Sequence, residues 1–383
     1  MAHNLDSCTM AEERRGFGGG AEARRARVER SPQWSDGRFR NTLRRVDGPW
    51  TRIMREFFFG GSAHRRPESP IPVEHRVRSD YDVPPASGLR VTWLGHSTTL
   101  IEIDGRRVLI DPVWGDRAGP VPRLSPRRFY PPPLPLAELP PVDVVLLSHD
   151  HYDHLHVDTV RALAARGERF VVPLGVGARL ARWGVSEARI AELDWWESLA
   201  MDDLTLTATP ARHFSGRLLV DADRTLWAGF VIAGARHRVF YSGDTALHDA
   251  FAEIGARLGP FDLTMIEVGA YDALWPDVHL GPEQAVRAHV LSGGGVMLPL
   301  HWGLFDLALH GWTEPAERTL AAAAAAGSAS SRRGPAGAWS RRRVRRPSGG
   351  GPSSRGRPPT RRRCGRRGRS TSCRCAQGCP GPC

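Results

Sequence analysis

The stretch Ser148-His149-Asp150-His151-Tyr152-Asp153-His154 follows directly on an apolar run, Val-Asp-Val-Val-Leu-Leu, at residues 142–147. The apolar run predicts a short buried strand, so the heptapeptide lies on the loop at the carboxyl end of that strand. His149 and His151 alternate, and an extended backbone directs both imidazoles the same way. Asp153 and His154 are adjacent and can turn toward a second point. Four ligands are more than one tetrahedral zinc takes from so tight a loop, which predicts two metals that share a site.

Further candidate ligands follow three strands predicted downstream. His213 comes after a strand that ends at Thr209, Asp244 after a strand at 237–242, and His301 after a strand at 295–300. Each candidate stands at the end of an apolar run, as the histidines of the loop do. We therefore expect these side chains to converge on the same site.

Strand and helix patterns alternate over most of the chain. Predicted strands cover residues 90–94, 98–103, 107–111, 142–147 and 169–172, then 203–209, 225–233, 237–242, 262–267 and 295–300. Predicted helices cover residues 157–166 and 177–183, then 246–257, 282–291 and 313–326. Strands come early in each half and helices late. This order favours an α/β fold with two sheets covered by helices, a four-layer αββα sandwich.

The flanks of this domain have a different composition. Residues 1–30 are rich in Gly, Arg and Glu and are predicted to be disordered. Residues 31–88 are predicted to form an arm that packs on the core, with a helix at 50–59 whose aromatic face packs on the core or touches lipid or a partner. The compact domain is expected over 89–326. Residues 327–383 form an Arg-, Pro-, Gly- and Cys-rich tail, predicted to be disordered and hypothesised to be a frameshifted end.

Composition limits the class of protein. Among 383 residues no apolar stretch approaches the roughly 20 needed to cross a bilayer, and the first 30 residues hold no apolar signal-peptide run. The net charge of +12 comes from the tail, which holds 16 of the 53 basic residues and no acidic one. Five of the six cysteines lie in the tail, so the body has no disulfide framework. These features predict a cytoplasmic protein.

Several further motifs lie outside the histidine loop. They are Ser-Pro-Gln-Trp at 31–34, Trp93-Leu94-Gly95-His96-Ser97-Thr98, Asp111-Pro112, Gly269-Ala270-Tyr271, Pro282-Glu283-Gln284-Ala285 and His301-Trp302-Gly303. With His149 to Leu155, these motifs resemble the metallo-β-lactamase superfamily, whose signature is a His-x-His-x-Asp-His run. The similarity covers residues 31–326 and is greatest to the branch that contains N-acylphosphatidylethanolamine-hydrolysing phospholipase D and L-ascorbate-6-phosphate lactonase, with the phospholipase D as the closer match.

The resemblance implies a ligand set and a fold. The fold would be the metallo-β-lactamase αββα sandwich with two zinc ions per chain. One zinc would be held by His149, His151 and His213, and the other by Asp153, His154 and His301, with Asp244 as the bridge. Asp111 would support the ligand loop from behind. His279 matches a histidine near the active site and Arg217 a basic residue beside the third ligand, which implies a catalytic and substrate-binding role for His279 and substrate binding for Arg217.

One position departs from the branch. Two residues after the last histidine of the run the branch usually has Asp, whereas this chain has His156. If that Asp orients a ligand, metal affinity would fall while the ligands themselves stay intact.

Three functions remain open from the sequence. The first is a zinc-dependent phosphodiesterase, acting on a small-molecule or phospholipid substrate through a hydroxide held between the metals, with Asp153 and Asp244 in the catalytic set. The second is a lactonase or other ester hydrolase on the same fold. The third, and weakest, is nucleic-acid binding through the arginines of the tail. Peripheral membrane contact and a homodimer are also left open.

Overall fold

The computed structural model describes residues 16–121, 123–327 and 338–340. Fifteen strands and seven α-helices lie within these residues. The strands are β1 (Trp34–Ser35), β2 (Arg38–Phe39), β3 (Leu89–Gly95), β4 (Thr98–Ile103), β5 (Arg106–Ile110), β6 (Val144–Leu146), β7 (Phe170–Pro173), β8 (Ile190–Leu193), β9 (Ser198–Met201), β10 (Leu204–Thr209), β11 (Gly229–Ala233), β12 (Arg238–Tyr241), β13 (Phe261–Glu267), β14 (Gly294–Leu300) and β15 (Ala338–Ser340). The helices are α1 (Gly20–Arg30), α2 (Trp50–Phe59), α3 (Val157–Ala165), α4 (Gly177–Arg182), α5 (Ala250–Leu258), α6 (Pro282–Leu291) and α7 (Glu314–Ala325).

Two large sheets form the centre of the molecule. One has seven strands in the order β15-β3-β4-β5-β6-β7-β8, and the other has six in the order β14-β13-β12-β11-β10-β9. In each sheet, antiparallel strands give way to parallel ones: β5 to β8 in the first sheet, and β12 to β14 in the second, run parallel. The carboxyl ends of parallel strands meet at one edge of a sheet, and this is where ligands usually bind.

The core consists of three apolar layers. Between the sheets, side chains such as Trp93 and Ile110 from the first sheet meet Phe230 and Tyr241 from the second, all at most 2% exposed. Helices α3 and α4 pack on the outer face of the seven-stranded sheet, while α5, α6 and α7 pack on the outer face of the other. This arrangement confirms the predicted four-layer αββα sandwich.

Most predicted elements occur within a few residues of their expected positions. The predicted strand at 225–233 is shorter, since β11 begins at Gly229, and the helix predicted from 246 begins at Ala250. The sequence analysis did not find β8 or β9. Strand β8 contains a buried acidic residue, Glu192, whose carboxylate accepts a hydrogen bond from the Gly177 backbone N–H at 2.8 Å. This polar residue breaks the apolar pattern by which a buried strand is recognised.

The prediction of disorder over residues 1–30 was wrong for part of that segment. Helix α1 occupies Gly20–Arg30 and is fastened to the domain by ion pairs of Arg24 with Glu187 and Arg27 with Glu197. Its mean hydropathy is low, so local composition resembles that of a disordered segment. The partners are more than 160 residues away in sequence, which is why the composition did not reveal them.

Part of the tail is also ordered, contrary to the prediction. Residues Ala338–Ser340 pair antiparallel with Arg90–Thr92 of β3 and form the edge of the seven-stranded sheet. The remaining tail residues after 327, including the five tail cysteines and the arginine clusters proposed for nucleic-acid binding, lie outside the described residues.

The arm from residue 31 to 88 contacts the domain at separate points. Phe39 and Tyr81 are 1% and 2% exposed and join the apolar layers of the domain. Helix α2 differs, because Trp50 is 70% exposed and Phe59 is 89% exposed. No helix in the described part of the chain is long and apolar enough to span a membrane.

Candidate metal centre

The predicted ligands meet at the carboxyl ends of strands from both sheets. The histidine loop follows β6, His213 follows β10, Asp244 follows β12, and His301 follows β14. Their ligand atoms form overlapping groups within 4.8 Å of one another: His149 with His151 and His213, and Asp153 with His154, His301 and His96. The structure therefore brings all seven predicted ligands together, and two of these groups contain the two triads that the resemblance implied.

Asp244 lies between the two groups. Its Oδ2 is 3.1 Å from His154 Nε2 and 3.0 Å from His301 Nε2, and it is 3.8 Å from the Nε2 atoms of both His149 and His213. One carboxylate oxygen thus approaches two histidines of each group. This position is the one a carboxylate needs in order to bridge two metals.

The donor set fits a pair of metal ions. His154 Nε2, His301 Nε2 and Asp244 Oδ1 are buried, and among the described residues none of them has a hydrogen-bond partner. Neighbouring imidazole nitrogens are also close: His149 Nε2 lies 2.8 Å, and His213 Nε2 3.3 Å, from His151 Nδ1. Nitrogens on a tetrahedral zinc, about 2.0–2.1 Å from the ion, stand about 3.3 Å apart. Imidazole nitrogens at these separations can act together as ligands of one cation.

The first group is held by uncharged partners. His213 Nδ1 donates to the Val278 carbonyl at 2.9 Å, and His149 Nδ1 lies 2.9 Å from Ser148 Oγ. The arm contributes Asn41, whose amide nitrogen donates to the His213 carbonyl at 2.7 Å while its oxygen accepts from the His213 N–H at 3.0 Å. These bonds fix His213 in position with Nε2 directed to the cluster.

The second group is held by carboxylates. Asp111, which is fully buried, accepts from His154 Nδ1 at 2.7 Å, from the Ser148 backbone N–H at 2.7 Å and hydroxyl at 2.6 Å, and from Tyr241 at 2.5 Å. A carboxylate that accepts from Nδ1 leaves Nε2 of the same imidazole for a metal. Asp111 thus contacts His154 from behind, as the sequence predicted.

Charge differs between the two groups. Burial lowers the pKa of His149 and of His213 well below the usual value, so both are neutral, the form that binds metal. Burial opposes the charged form of His154 as well, but the carboxylates of Asp244, Asp153 and Asp111 outweigh it and raise the pKa of His154 well above its usual value. The second group is therefore an anionic environment that attracts a cation.

Two residues of the site were not among the sequence-predicted ligands. His96 Nε2 lies 2.9 Å from Asp153 Oδ2, which places His96 in the second group. Glu267 is the last residue of β13, and its carboxylate accepts from His279 Nδ1 at 2.7 Å. The signal that could have found both is their place at a strand end, the same signal that identified His301.

His279 lies beside the ligands. Its ring centroid is 5.0 Å from that of His301 and 5.1 Å from that of His213. Its Nδ1 is held by Glu267, and its side chain is 11% exposed. His279 is therefore near both groups and is open to solvent on one side.

Arg217 makes contacts different from those predicted. Its Nη1 donates to the carbonyls of Asp150 and Leu155, at 3.0 and 2.7 Å, and its guanidinium stacks on Tyr152 at 3.7 Å. All three partners belong to the histidine loop or its end. These contacts hold the loop, and substrate binding by Arg217 stays a prediction.

His156 stands where the branch usually has Asp, and its described hydrogen bonds do not involve the metal ligands. His156 Nδ1 accepts from the Thr159 backbone N–H at 3.3 Å and lies 2.9 Å from the Thr159 hydroxyl, so the side chain caps α3. Asp and Asn are the common residues at this position of a helix, and His156 supplies the same acceptor. The departure from the branch therefore affects a helix end.

The backbone around the ligands requires special conformations. Gly243, which precedes Asp244, has φ +60°, and a Cβ there would lie 2.6 Å from the Ala228 carbonyl. His96, Asp111 and His301 have φ of +52°, +40° and +66° although they are not glycine. Such conformations concentrate at functional sites, where the surrounding structure holds them.

Comparison with known proteins shows the family that the chain resembles. Residues 106–302 match the family model described as a beta-lactamase superfamily domain. A protein of Mycobacterium tuberculosis is 49% identical over 80% of this chain and 83% of its own length. The N-acyl-phosphatidylethanolamine-hydrolyzing phospholipase D 1 of Caenorhabditis elegans is 36% identical, over 63% of this chain and 70% of that protein.

Solved structures share the fold. An isothiocyanate hydrolase from Delia radicum gut bacteria superposes with a TM-score of 0.53 at 20% identity, over 66% of this chain and 98% of that one. Igni18, a metallo hydrolase from Ignicoccus hospitalis, superposes with a TM-score of 0.51 at 22% identity, over 66% of this chain and 97% of its own. At such identities the likeness concerns the fold alone.

Proposed function

Because this chain is a metal-dependent hydrolase of the metallo-β-lactamase superfamily, in the branch with the phospholipase D relatives, we propose that it is a zinc-dependent phosphodiesterase. Its substrate in this proposal is a phospholipid of the N-acylphosphatidylethanolamine type. The observation that carries the proposal is the position of Asp244 Oδ2, within 3.8 Å of histidines from both groups. Two ions so placed suit a phosphodiester, in which the attacking and leaving oxygens both carry charge.

The chain's residues prepare the site for two cations. His149, His151 and His213 would hold one ion, Asp153, His154 and His301 the other, and Asp244 both. When bound, a zinc pair supplies a water of lowered pKa and polarises the phosphate oxygen. Asp153 and Asp244 are carboxylates with pKa values held well below the usual range, because the charges of His154 and His301 outweigh the effect of burial. They stay ionised and offset the charge of the ions.

His279 is proposed to act on the substrate. Its Nδ1–H donates to Glu267 Oε2 at 2.7 Å, so Nε2 is the nitrogen left for a substrate. From this position, close to His213 and His301, Nε2 can accept the proton released by the attacking water and pass it to the leaving alkoxide. Glu267 fixes the ring so that the proton is held at a defined atom.

Helix α2 is proposed to contact the membrane surface. Trp50 and Phe59 are 70% and 89% exposed, and aromatic side chains of this kind favour the membrane interface. Such contact would deliver a phospholipid to the site. The double variant Trp50→Ser/Phe59→Ser should sediment severalfold less with phosphatidylethanolamine vesicles, while Leu124→Ser, an exposed leucine elsewhere, should sediment as the wild type does. Equal sedimentation of all three proteins would refute the contact.

The substrate class is tested by a screen of zinc-loaded enzyme against phosphodiesters, phosphomonoesters and lactones. N-acylphosphatidylethanolamine should be hydrolysed, and in oxygen-18 water the label should enter the phosphate product, because attack at phosphorus breaks the phosphorus–oxygen bond. Label in the released alcohol would mean carbon–oxygen cleavage. Turnover of lactones alone would replace the phosphodiesterase assignment with a lactonase.

A further inference from the structure

Asp150 is a fully buried acidic residue that stands between two predicted ligands, His149 and His151. Among the described residues it belongs to none of the candidate ligand groups. In an extended backbone, successive side chains point in opposite directions, so the two imidazoles face one side of the loop and the Asp150 carboxylate faces the other. The carboxylate is therefore placed to anchor the loop from the side away from the metals.

The charged partner of Asp150 is Arg179, which lies in α4 on the outer face of the seven-stranded sheet. Arg179 Nε donates to Asp150 Oδ2 at 2.6 Å, and the arginine side chain is 11% exposed. The other carboxylate oxygen, Oδ1, accepts from the Gly216 backbone N–H at 2.7 Å. Asp150 thus contacts both a helix outside the sheet and the segment that follows His213.

A second carboxylate extends this network into that segment. Arg179 Nη2 donates to Asp221 Oδ2 at 2.9 Å. Asp221 Oδ1 in turn accepts from the backbone N–H groups of Arg217 and Leu218, at 2.9 and 2.7 Å. Arg179 therefore joins the two segments that supply the predicted ligands of the first ion, which are His149, His151 and His213.

The rings of these ligands have separate supports. His213 Nδ1, for example, donates to the Val278 carbonyl at 2.9 Å. Such a bond orients one ring but does not set the distance between the two segments. That distance decides whether His151 and His213, whose Nδ1 and Nε2 atoms lie 3.3 Å apart, can bind the same cation. A guanidinium can fix the distance, because its donors form a rigid planar fork.

We propose that Arg179 is a positioning residue for the first ion and acts through Asp150 and Asp221, not on the ion or the substrate. By holding both carboxylates on one guanidinium, it keeps the two segments at the separation at which their imidazoles share a cation. The second ion should depend on Arg179 less, because Asp111 supports His154. This role depends on the metal centre of the proposed function but not on the identity of the substrate.

The test is titration of the zinc-loaded full chain with a competing chelator, which measures the affinity for each ion. His213→Ala, which removes a ligand of the first ion, identifies the step that belongs to that ion. Arg179→Leu should weaken this step about tenfold, as loss of a group that orients metal ligands does, and the other step less. Arg179→Lys keeps the charge but not the fork, so its affinity for the first ion should lie between those of the wild type and Arg179→Leu.

Arg24→Leu is the matched control. Arg24 has a side chain that is 10% exposed and forms an ion pair with Glu187 in which no predicted ligand takes part. Its loss should lower the unfolding temperature and leave both zinc affinities unaltered. In the double variant Asp150→Asn/Arg179→Leu, the first ion should be bound no more weakly than in the worse single variant, because the two residues act through one contact.

Three results would overturn the proposal. Equal weakening of both ions by Arg179→Leu, or the same loss of zinc affinity in Arg24→Leu, would show that Arg179 supports only the fold. Additive losses in the double variant would show that Arg179 does not act through Asp150. If Arg179→Leu does not fold, the comparison of Arg179→Lys with Arg24→Lys decides the question in the same way. Because no substrate is used, failure of the phosphodiesterase assignment would leave these results unchanged.

Discussion

The two ligand groups of the metal centre are held in different ways. His149 and His213 are oriented by a hydroxyl, a carbonyl and an amide, whereas His154 is oriented by the carboxylate of Asp111, and His96 lies against the carboxylate of Asp153. The first group is thus a set of neutral imidazoles on neutral supports. The second is a set of imidazoles surrounded by negative charge. The first site therefore binds a cation through positioned neutral nitrogens alone, whereas the second site also attracts it with negative charge.

This comparison leads to an order of metal affinity. A carboxylate behind an imidazole raises its basicity as a ligand, and such partners strengthen metal binding about 10–100-fold. The ion held by Asp153, His154 and His301 should therefore be bound more tightly than the ion held by His149, His151 and His213. The predictions below test this contrast, beginning with the residue that both groups share.

The largest effect is expected from Asp244→Asn. The amide keeps the shape of the side chain but removes the charge that both groups share, so hydrolysis should fall by about two orders of magnitude or more. Steady-state kinetics on the best substrate measures this fall, and circular dichroism checks the fold. The exposed Asp158→Asn serves as the control and should keep full activity. Near-wild-type turnover with unchanged zinc content would remove Asp244 from its bridging role.

The next effect is expected from Asp111→Asn. Loss of the carboxylate behind His154 should weaken the second site about 10–100-fold and the first site less, because Asp111 reaches His149 only through the Ser148 hydroxyl. Asp104→Asn is a matched control, because Asp104 accepts at 2.7 Å from Nδ1 of His237, which is not a predicted ligand. Zinc titration with a competing chelator should show the second site weakened more than the first for Asp111→Asn, and neither site weakened for Asp104→Asn. Equal weakening of both sites in Asp111→Asn would contradict the contrast.

A smaller effect is expected from Asn41→Leu. The side chain of Asn41 makes two hydrogen bonds to the backbone of His213, and their loss should weaken the first site by about tenfold or less. Asn41→Asp keeps the acceptor for the His213 N–H, so its zinc affinity at the first site should lie between those of the wild type and Asn41→Leu. The same chelator titration provides the readout. An unchanged first site in Asn41→Leu would show that the arm does not support the metal centre.

The smallest effect is the order in which a chelator strips the wild-type protein. Because the first group lacks carboxylate supports, its ion should leave first, at several-fold lower chelator concentration than the second. Loss of both ions at one concentration would mean that the two sites are equivalent or inseparable. Loss of the second ion first would show that the site with carboxylate supports binds its ion more weakly, which contradicts the predicted order.

The histidine loop could be predicted from sequence because local rules determine it. Four ligand-type side chains follow an apolar strand, and the loop at a strand end is where a sheet presents side chains. The same rule located His213, Asp244 and His301, and the family resemblance divided them into two groups. The structure brings these ligands together in that division.

The missed parts depend on contacts between distant segments. His96 and Glu267 also stand at strand ends, but the ligand set that the resemblance implied was complete without them, so neither was assigned a role. Arg24 of α1 pairs with Glu187, which is 163 residues away in sequence. The local composition of α1 does not show this partner, so the segment was predicted to be disordered. Arg217 also depends on such contacts: the resemblance implied substrate binding, and the structure adds hydrogen bonds from its guanidinium to the backbone of the histidine loop and its end.

The most direct measurement is a crystal structure of the zinc-loaded protein with anomalous data collected at the zinc absorption edge. Two peaks about 3.5–4 Å apart are predicted, one among His149, His151 and His213, the other among Asp153, His154 and His301, with Asp244 between them. The peak in the second group should have the higher occupancy when zinc is limiting. A single peak, or two peaks that do not share Asp244, would contradict the account.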